Sequence, residues 1–368
     1  MTSDRRGPGR DFTSRYSPAM SSSRVGDDTR GSRAPTLRDV AREAGVHVST
    51  VSRVLSGQAA AGRITQDTEE RIRDVASRLG YRHNNIARAL RTGRTLVVGM
   101  VVPDVGNLYQ AGITRGAGDV LYAGGYSLIL ASTDDDPAHA ESQVAAMLGV
   151  QADGLMYGVA REEDPVLAGI VAQGVPVVLF NRAADLPAVS AVLPDDHAGT
   201  RMAVEHLLAL GHRHIVHVGG PEAVSSTVNR LAAFENLLQA RGITGIHRLA
   251  RRHTEEEGHR VTRDLLEEHP DTTAVLAAND RLALGAIDAI RDSGRSCPDD
   301  VSVVGFNDMP YSDRFSPSLT TVRISQYELG GRVARLLLET IADPGRPPET
   351  HLVTPELIVR GSTAVITS

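Results

Sequence analysis

The chain of 368 residues contains no lysine; every one of its 39 Lys+Arg cations is an arginine. A phosphate-cradling G-x-x-x-x-G-K-[ST] loop is thereby excluded. The G-x-S-x-G turn of a serine nucleophile is also missing. A single cysteine, Cys297, rules out an internal disulfide and fits a reducing compartment. It has no identified histidine partner for nucleophilic work. No apolar run approaches the length needed to span a bilayer. The N-terminus is Arg, Ser, Gly and Asp rather than the apolar core of a signal peptide. These absences predict a cytoplasmic protein without membrane association.

The net charge of −6 argues on its face against a nucleic-acid partner. Its distribution reverses that argument. Residues 1–33 carry seven Arg and four Asp, and residues 34–94 carry eleven Arg and six acids. The remainder holds twenty-one Arg against thirty-five acids. A basic front on an acidic body is the asymmetry expected when one end meets phosphates.

The basic part holds the most informative stretch, TLRDVAREAGVHVSTVSRVL, residues 36–55. Leu37, Val40, Ala41 and Ala44 recur at helical spacing. Thr36 with Asp39 three residues on is a capping-box-like start, and Gly45 can take the left-handed backbone that ends a helix. Val51, Val54 and Leu55 form a second apolar face. The opposite face carries Val48, Ser49, Ser52 and Arg53, small or basic residues suited to a DNA major groove. The run L-R-D-V-A-R-E-A-G-V followed by T-V-S-R-V-L closely resembles the DNA-binding head of the lactose-repressor/galactose-repressor (LacI/GalR) family of bacterial transcription factors.

Around that head, residues 1–33 are polar and aperiodic and are expected to form a disordered tail. The helix-turn-helix domain is expected over 34–82. Its third helix opens at Ile64-Thr65, with Thr65 as cap and Asp67, Glu69 and Glu70 in the favourable first turn. Val40, Val51, Leu55, Ile72 and Leu79 would form its core. NNIARALR, within a linker at 83–94, is too short to be a stable helix alone. The resemblance implies a hinge helix there, folding on operator DNA, with Leu90 wedged into the minor groove and Ala87 letting two such helices meet. His83 stands where the family often has proline. The resemblance further implies DNA contacts from Thr36 and Leu37, from Val48, Ser49, Thr50, Ser52 and Arg53, from Ser56 and Thr65, and from Asn84.

From Leu96 the pattern changes. LVVGMVV, YSLILA, GLMYG, VPVVLF, HIVHVGG, AVLAA and VSVVGF are near-continuous apolar runs separated by amphipathic segments. That is the signature of parallel strands in an α/β sheet, which bind ligands beyond the strands' carboxyl ends. The order of units resembles the family's two-lobed periplasmic-binding-protein-like (type I) effector and dimerisation domain, expected over 95–363. One lobe would take about 96–192 and 323–348, the other about 193–322 and 349–361.

Polar residues at strand ends mark the cleft between lobes. Asn107 and Tyr109 follow the first strand; the family commonly reads P-D-x-x-N-P-F-F there, and this chain has Gln110 for the second aromatic. Asn181, Asn279 with Asp280, and Asn307 end further strands. The resemblance assigns Arg230, in NRLAAF, to the ligand and places His253 where some members carry an aromatic platform. For each Asn or Asp taken singly, a turn or cap is the plain alternative. Arg and Asn suit sugar hydroxyls, while the thin aromatic set disfavours a purine.

Two further signals are set aside. His212, His214 and His217 look metal-like, but His214 and His217 sit at odd spacing in an apolar strand and face opposite sides. Asp134, Asp135 and Asp136 read as a solvated loop and helix start. No metal or cofactor is expected, and no enzymatic site assembles. The sequence therefore predicts a ligand-responsive, sequence-specific regulator. It would be a homodimeric repressor of carbohydrate-metabolism genes that binds a palindromic double-stranded operator and answers to a small sugar-like effector. A purine or other small effector, or a cytosolic solute-binding module without DNA function, are the alternatives.

Overall fold

The structure, a computed structural model, describes residues 35–55, 64–81, 93–186 and 189–366. Ser56, Asn84, Ala87 and Leu90 lie outside the described residues, as do the tail and the proposed hinge helix. The chain divides into two compact units, residues 1–84 and 85–368.

The first unit holds α1 (Leu37–Ala44), α2 (Val48–Leu55) and α3 (Gln66–Arg78). The capping box forms: Thr36 Oγ1 accepts from Asp39 N, and the Asp39 carboxylate accepts from Thr36 N at 2.9 Å. Gly45 closes α1 at φ +64°. The start of α2 was not foreseen. The His47 carbonyl accepts from Thr50 N and its Nδ1 accepts from Ser49 N, so a histidine does the work of a Ser or Asp cap. At α3 the expectation needs correcting. Thr65 occupies the cap position, but its hydroxyl bonds Thr68 Oγ1 at 2.9 Å instead of a backbone N–H. Val40, Val51, Val54, Ile72 and Val75 form the buried core, with Leu55 and Leu79 packed at its edge.

The second unit contains two six-stranded sheets. In chain order its elements are β1 (Val97–Val102), α4 (Leu108–Ala123), β2 (Ser127–Ser132), α5 (Pro137–Gly149), β3 (Gly154–Tyr157), α6 (Pro165–Ala172), β4 (Val177–Phe180) and β5 (Ser190–Pro194). There follow α7 (Asp196–Ala209), β6 (Ile215–Gly219), α8 (Ser225–Gln239), β7 (Ile246–Leu249), α9 (Glu255–Glu268), β8 (Ala274–Ala277), α10 (Asp280–Asp292), β9 (Ser302–Asn307) and β10 (Thr320–Arg323). The unit ends with α11 (Gln326–Ala342), β11 (Thr350–Val353) and β12 (Glu356–Ile358). The sheet orders are β11-β5-β4-β3-β1-β2 and β12-β10-β9-β8-β6-β7. All pairs are parallel except β10–β12. Central strands β3, β4, β8 and β9 are buried along their whole length. Helices cover both faces, which is why these strands read as unbroken apolar runs.

The chain passes between the lobes three times, but later than the sequence suggested. β5 and β11 pair in parallel, Thr350 with Ala191 through Val353 with Pro194, so both strands finish in the first lobe. The first passage therefore follows Pro194 and the third lies between Val353 and Glu356. The second follows Arg323, which pairs with Asn307 in the second sheet. On the second-lobe side of the last two passages, the Asp308 carboxylate accepts from Arg323 Nε at 2.8 Å and from Arg360 Nη1 at 2.7 Å.

Candidate functional site

In the first unit, Val51 and Val54 turn inward, which leaves Ser49 and Arg53 exposed and Val48, Thr50 and Ser52 half-buried on the outer side of α2. Ser49 Oγ lies 2.8 Å from His47 Nδ1. Thr36 and Leu37 are half-buried at the start of α1 and Thr65 is exposed. The short, outward-facing helix thus presents a hydroxyl and a guanidinium on one side, groups that can hydrogen-bond base edges.

In the second unit, the strand ends of both sheets converge on a cavity that opens to solvent. Asp104, Asn107, Tyr109 and Gln110 reach it from the end of β1 and the start of α4. Asp134 and Asp135 come from beyond β2, and Asn181 and Arg182 from beyond β4. The second lobe contributes Ser226 and Arg230 from α8, Arg252 and His253 from the approach to α9, Asn279 and Arg281 beside β8, and Asn307 at the end of β9.

Three of the cavity's arginines are each matched with an acid. Arg230 is buried; its Nε donates to Asp196 at 2.7 Å, Nη1 donates to the Ala278 carbonyl, and its plane lies 3.6 Å from the Phe306 ring centroid. Arg182, equally buried, forks onto Asp135 at 2.6 and 3.3 Å. Arg281 forks onto Glu255 at 2.9 and 2.7 Å and reaches Asp104 at 3.0 Å. Burial pushes the Asp196 carboxyl above its ordinary value while Arg230 opposes the rise. Desolvation, reinforced by Arg182, holds the half-buried His253 far below the ordinary imidazole value, so its ring is neutral at pH 7. Gly220 makes room for that ring, since a Cβ there would collide with His253 Nε2.

Seven of the eight residues expected at the ligand site line this cavity, and Asp280 does not. Asp280 is buried beneath it. Its carboxylate accepts from Thr321 Oγ1 at 2.5 Å, Met309 N at 2.6 Å and Ser312 Oγ at 3.4 Å. One residue into α10, its side chain points into the lobe rather than toward the opening. Two of the seven also serve as helix caps: Asn107 Oδ1 accepts from Tyr109 N and Asn279 Oδ1 from Leu282 N. Tyr109 is buried and donates to Asn181 Oδ1 at 3.1 Å, joining two loops of the first lobe. Burial raises its phenol well above the ordinary value, so it remains a donor.

Sequence reasoning placed Gln110 in the ligand-facing turn but not among the site residues, and it missed the site roles of Arg182, Arg281, Asp135 and Asp104. Arg182 and Gln110 each adjoin an expected residue, so proximity to a strand end was the available signal. Two buried amide oxygens, Gln110 Oε1 and Asn307 Oδ1, have no hydrogen-bond partner. Asn307 holds a positive φ of 108°, a strained backbone of the kind found at ligand sites.

Among the described residues no group of three or more His, Cys, Asp or Glu side chains could hold a metal ion. His214 pairs with Asp271, while His217 is buried against Phe234. Burial raises the Cys297 thiol to about 12, which makes it a poor nucleophile. No helix among the described residues is long and apolar enough to cross a membrane.

Residues 36–84 match the family described as bacterial regulatory proteins, lacI family, and residues 204–363 match the periplasmic binding protein-like domain. The chain is similar to the ribose operon repressor of Halalkalibacterium halodurans, 30% identical over 332 residues, covering 89% of this chain and 97% of that protein. Among solved structures it resembles the lac repressor dimer bound to operator and the anti-inducer ONPF. There the TM-score is 0.80 at 27% identity, over 90% of this chain and 100% of that one. It also resembles the transcriptional regulator CelR in complex with cellobiose, with a TM-score of 0.68 at 30% identity, over 89% of this chain and 99% of that one.

Proposed function

Because the chain belongs to the lacI family of bacterial regulatory proteins, we propose that it is a homodimeric, cytoplasmic repressor that binds a palindromic operator through α2 and releases or tightens its grip when a neutral sugar enters the cleft. Arg53 reads a base edge, with Val48 and Ser49 tuning neighbouring positions and Thr36, Leu37, Thr50, Ser52, Ser56 and Thr65 adding contacts. Asn84, Ala87 and Leu90 act in the minor groove. The cleft's role in this reading is to bind the effector without altering it, and no cofactor is assigned to it.

One observation carries the effector class. Gln110 Oε1 and Asn307 Oδ1 are buried acceptors without donors, on two residues that line a cavity in which Arg182, Arg230 and Arg281 are already matched by acids. A buried acceptor left unmet costs about 1–3 kcal/mol. Ligand hydroxyls satisfy both oxygens, whereas a carboxylate or phosphate brings no donor and a second negative charge. The relatives named for ribose and bound to cellobiose support the same class. Binding shifts operator affinity only by the sugar's differential affinity for the two lobe arrangements.

The test is calorimetry on the full chain with ribose, cellobiose, a hexose phosphate and a purine base, together with gel shifts on the DNA upstream of its own gene. A neutral sugar should bind and move the gel-shift midpoint. Tight purine or sugar-phosphate binding without neutral-sugar binding would sink the effector class, and absence of any sequence-specific shift would sink the regulator reading.

A further inference from the structure

The two lobes are joined across the cavity by a charged contact. Arg281, the second residue of α10, belongs to the second lobe and Asp104, just beyond β1, to the first. Their Nη1–Oδ2 distance is 3.0 Å, and both side chains line the cavity. The remaining edge of the same guanidinium is occupied within its own lobe by Glu255, through Nε and Nη2. Asp104 is likewise anchored in its own lobe, its Oδ1 accepting from Gly106 N at 2.7 Å.

We infer that Arg281 and Asp104 form a reversible latch that sets the balance between closed and open lobes before any effector arrives. The geometry suits a contact that must be broken often. When the lobes part, Arg281 keeps both hydrogen bonds to Glu255 and Asp104 keeps Gly106, so neither charge is stranded. The Asp104 side chain is already 43% exposed and Arg281 20%, so separation returns both to water rather than removing them from a dry core. Arg230–Asp196 and Arg182–Asp135 differ, since each pair lies within one lobe and does not come apart on opening. Among the described residues the other side-chain hydrogen bonds between the lobes are neutral: Ala183 N donates to Ser225 Oγ at 2.8 Å, and Gln326 Nε2 donates to the Asp308 and Asn307 carbonyls at 3.1 and 3.3 Å beside the passages. Ionic strength therefore acts on closure through the Arg281–Asp104 contact.

Partly exposed ion pairs are weak, so loss of the latch should raise the open-to-closed ratio about two- to fivefold rather than abolish closure. Arg281 and Asp104 are positioning residues in this role; they act through the lobes and not through the ligand. Single-molecule energy transfer on the full chain reads the ratio directly and needs neither effector nor DNA. Dyes are placed by Glu141→Cys in the first lobe and Glu267→Cys in the second, in a Cys297→Ser background, with labelled chains diluted into unlabelled ones. Asp104→Asn keeps the Oδ1 that holds Gly106 and removes the charge, while Arg281→Met keeps the stem and removes the fork. Each should enrich the low-transfer population by the stated factor, and the double variant should add nothing further. Raising salt from about 0.05 to about 0.5 M should produce the same shift in the unaltered chain and none in the variants. Arg281→Lys should restore part of the salt response. A transfer distribution unchanged in both single variants, with unchanged melting temperature, would overturn the latch. Additive effects in the double variant would show that the two residues act separately, and would overturn it equally.

Discussion

Gln110 shows how a site residue is told from a stabilising one. Its buried oxygen has no partner, and it lies inside α4, where an unbranched apolar side chain fits equally well. Gln110→Met should therefore raise stability by about 1–3 kcal/mol, the relief of an unmet buried acceptor. Affinity for a neutral sugar should fall roughly tenfold, which is 1.4 kcal/mol. Urea unfolding and calorimetry on the same preparation check both, and a variant that is stabilised without losing affinity would remove Gln110 from the site. Arg230 is the residue that sequence reasoning favoured, and it is the poorer probe. Removing it leaves Asp196 buried without its counter-charge, at about 3–5 kcal/mol of stability. The sequence located Arg230 by motif but was silent on its partner, because Asp196 lies 34 positions earlier, on another helix. Asp280 was misplaced for the same reason: a strand-end acid looks identical whether it faces the opening or the lobe interior. Burial raises its carboxyl to about 7 despite three donors. A folded value above the unfolded one of about 4 means that its contribution is fully present below pH 4 and lost as pH rises through 7. That loss is on the order of 4 kcal/mol. Unfolding measured from pH 4 to 8 should show this decline, and Asp280→Asn should flatten it. An unchanged pH slope in the variant would mean that Asp280 ionises normally.

At the scale of elements, the second helix of the head is the one we propose for DNA reading. Its inward face is fixed by Val51 and Val54, which leaves Arg53 exposed on the outside. Arg53→Ala should cost about 1–3 kcal/mol of discrimination at one base pair per half-site. Operator variants scanned position by position provide the measurement; equal weakening on every sequence would make Arg53 a phosphate contact instead. Elements with strong local signals were legible in the chain: α1 with its Thr36–Asp39 box and Gly45, and the strands with unbroken apolar runs. Elements defined by distant pairing were less so. β11 and β12 are short, and nothing in THLV or ELI says that one joins β5 in parallel while the other joins β10 in antiparallel. That is why the last passage between lobes lay several residues later than expected. The His47 cap was missed because histidine rarely fills that role, and the Thr65 cap was over-read because a second hydroxyl, on Thr68, competes for its side chain.

For the whole molecule the deciding property is charge separation, which no single element contains. Residues 1–94 carry eighteen Arg against ten acids, and the rest of the chain is strongly acidic. An acidic body repels DNA phosphates, so attraction is confined to the basic front and the acidic part adds no non-specific affinity. Binding should then follow the counterion-release law, with log K falling linearly in log salt at a slope of about −0.9 per phosphate neutralised. For two heads making together roughly 6–10 phosphate contacts, affinity should drop about 10³–10⁵-fold between 50 and 200 mM salt. Fluorescence anisotropy of labelled operator DNA against a salt series, on the full chain, gives the slope. Arg53→Ala should lower affinity for the operator and leave that slope nearly unchanged, because a base contact releases few counterions. A flat salt response would remove phosphate attraction as the source of affinity. A slope reduced by about one unit for each Arg53 lost would return that residue to the backbone and leave the reading of bases to its neighbours on α2.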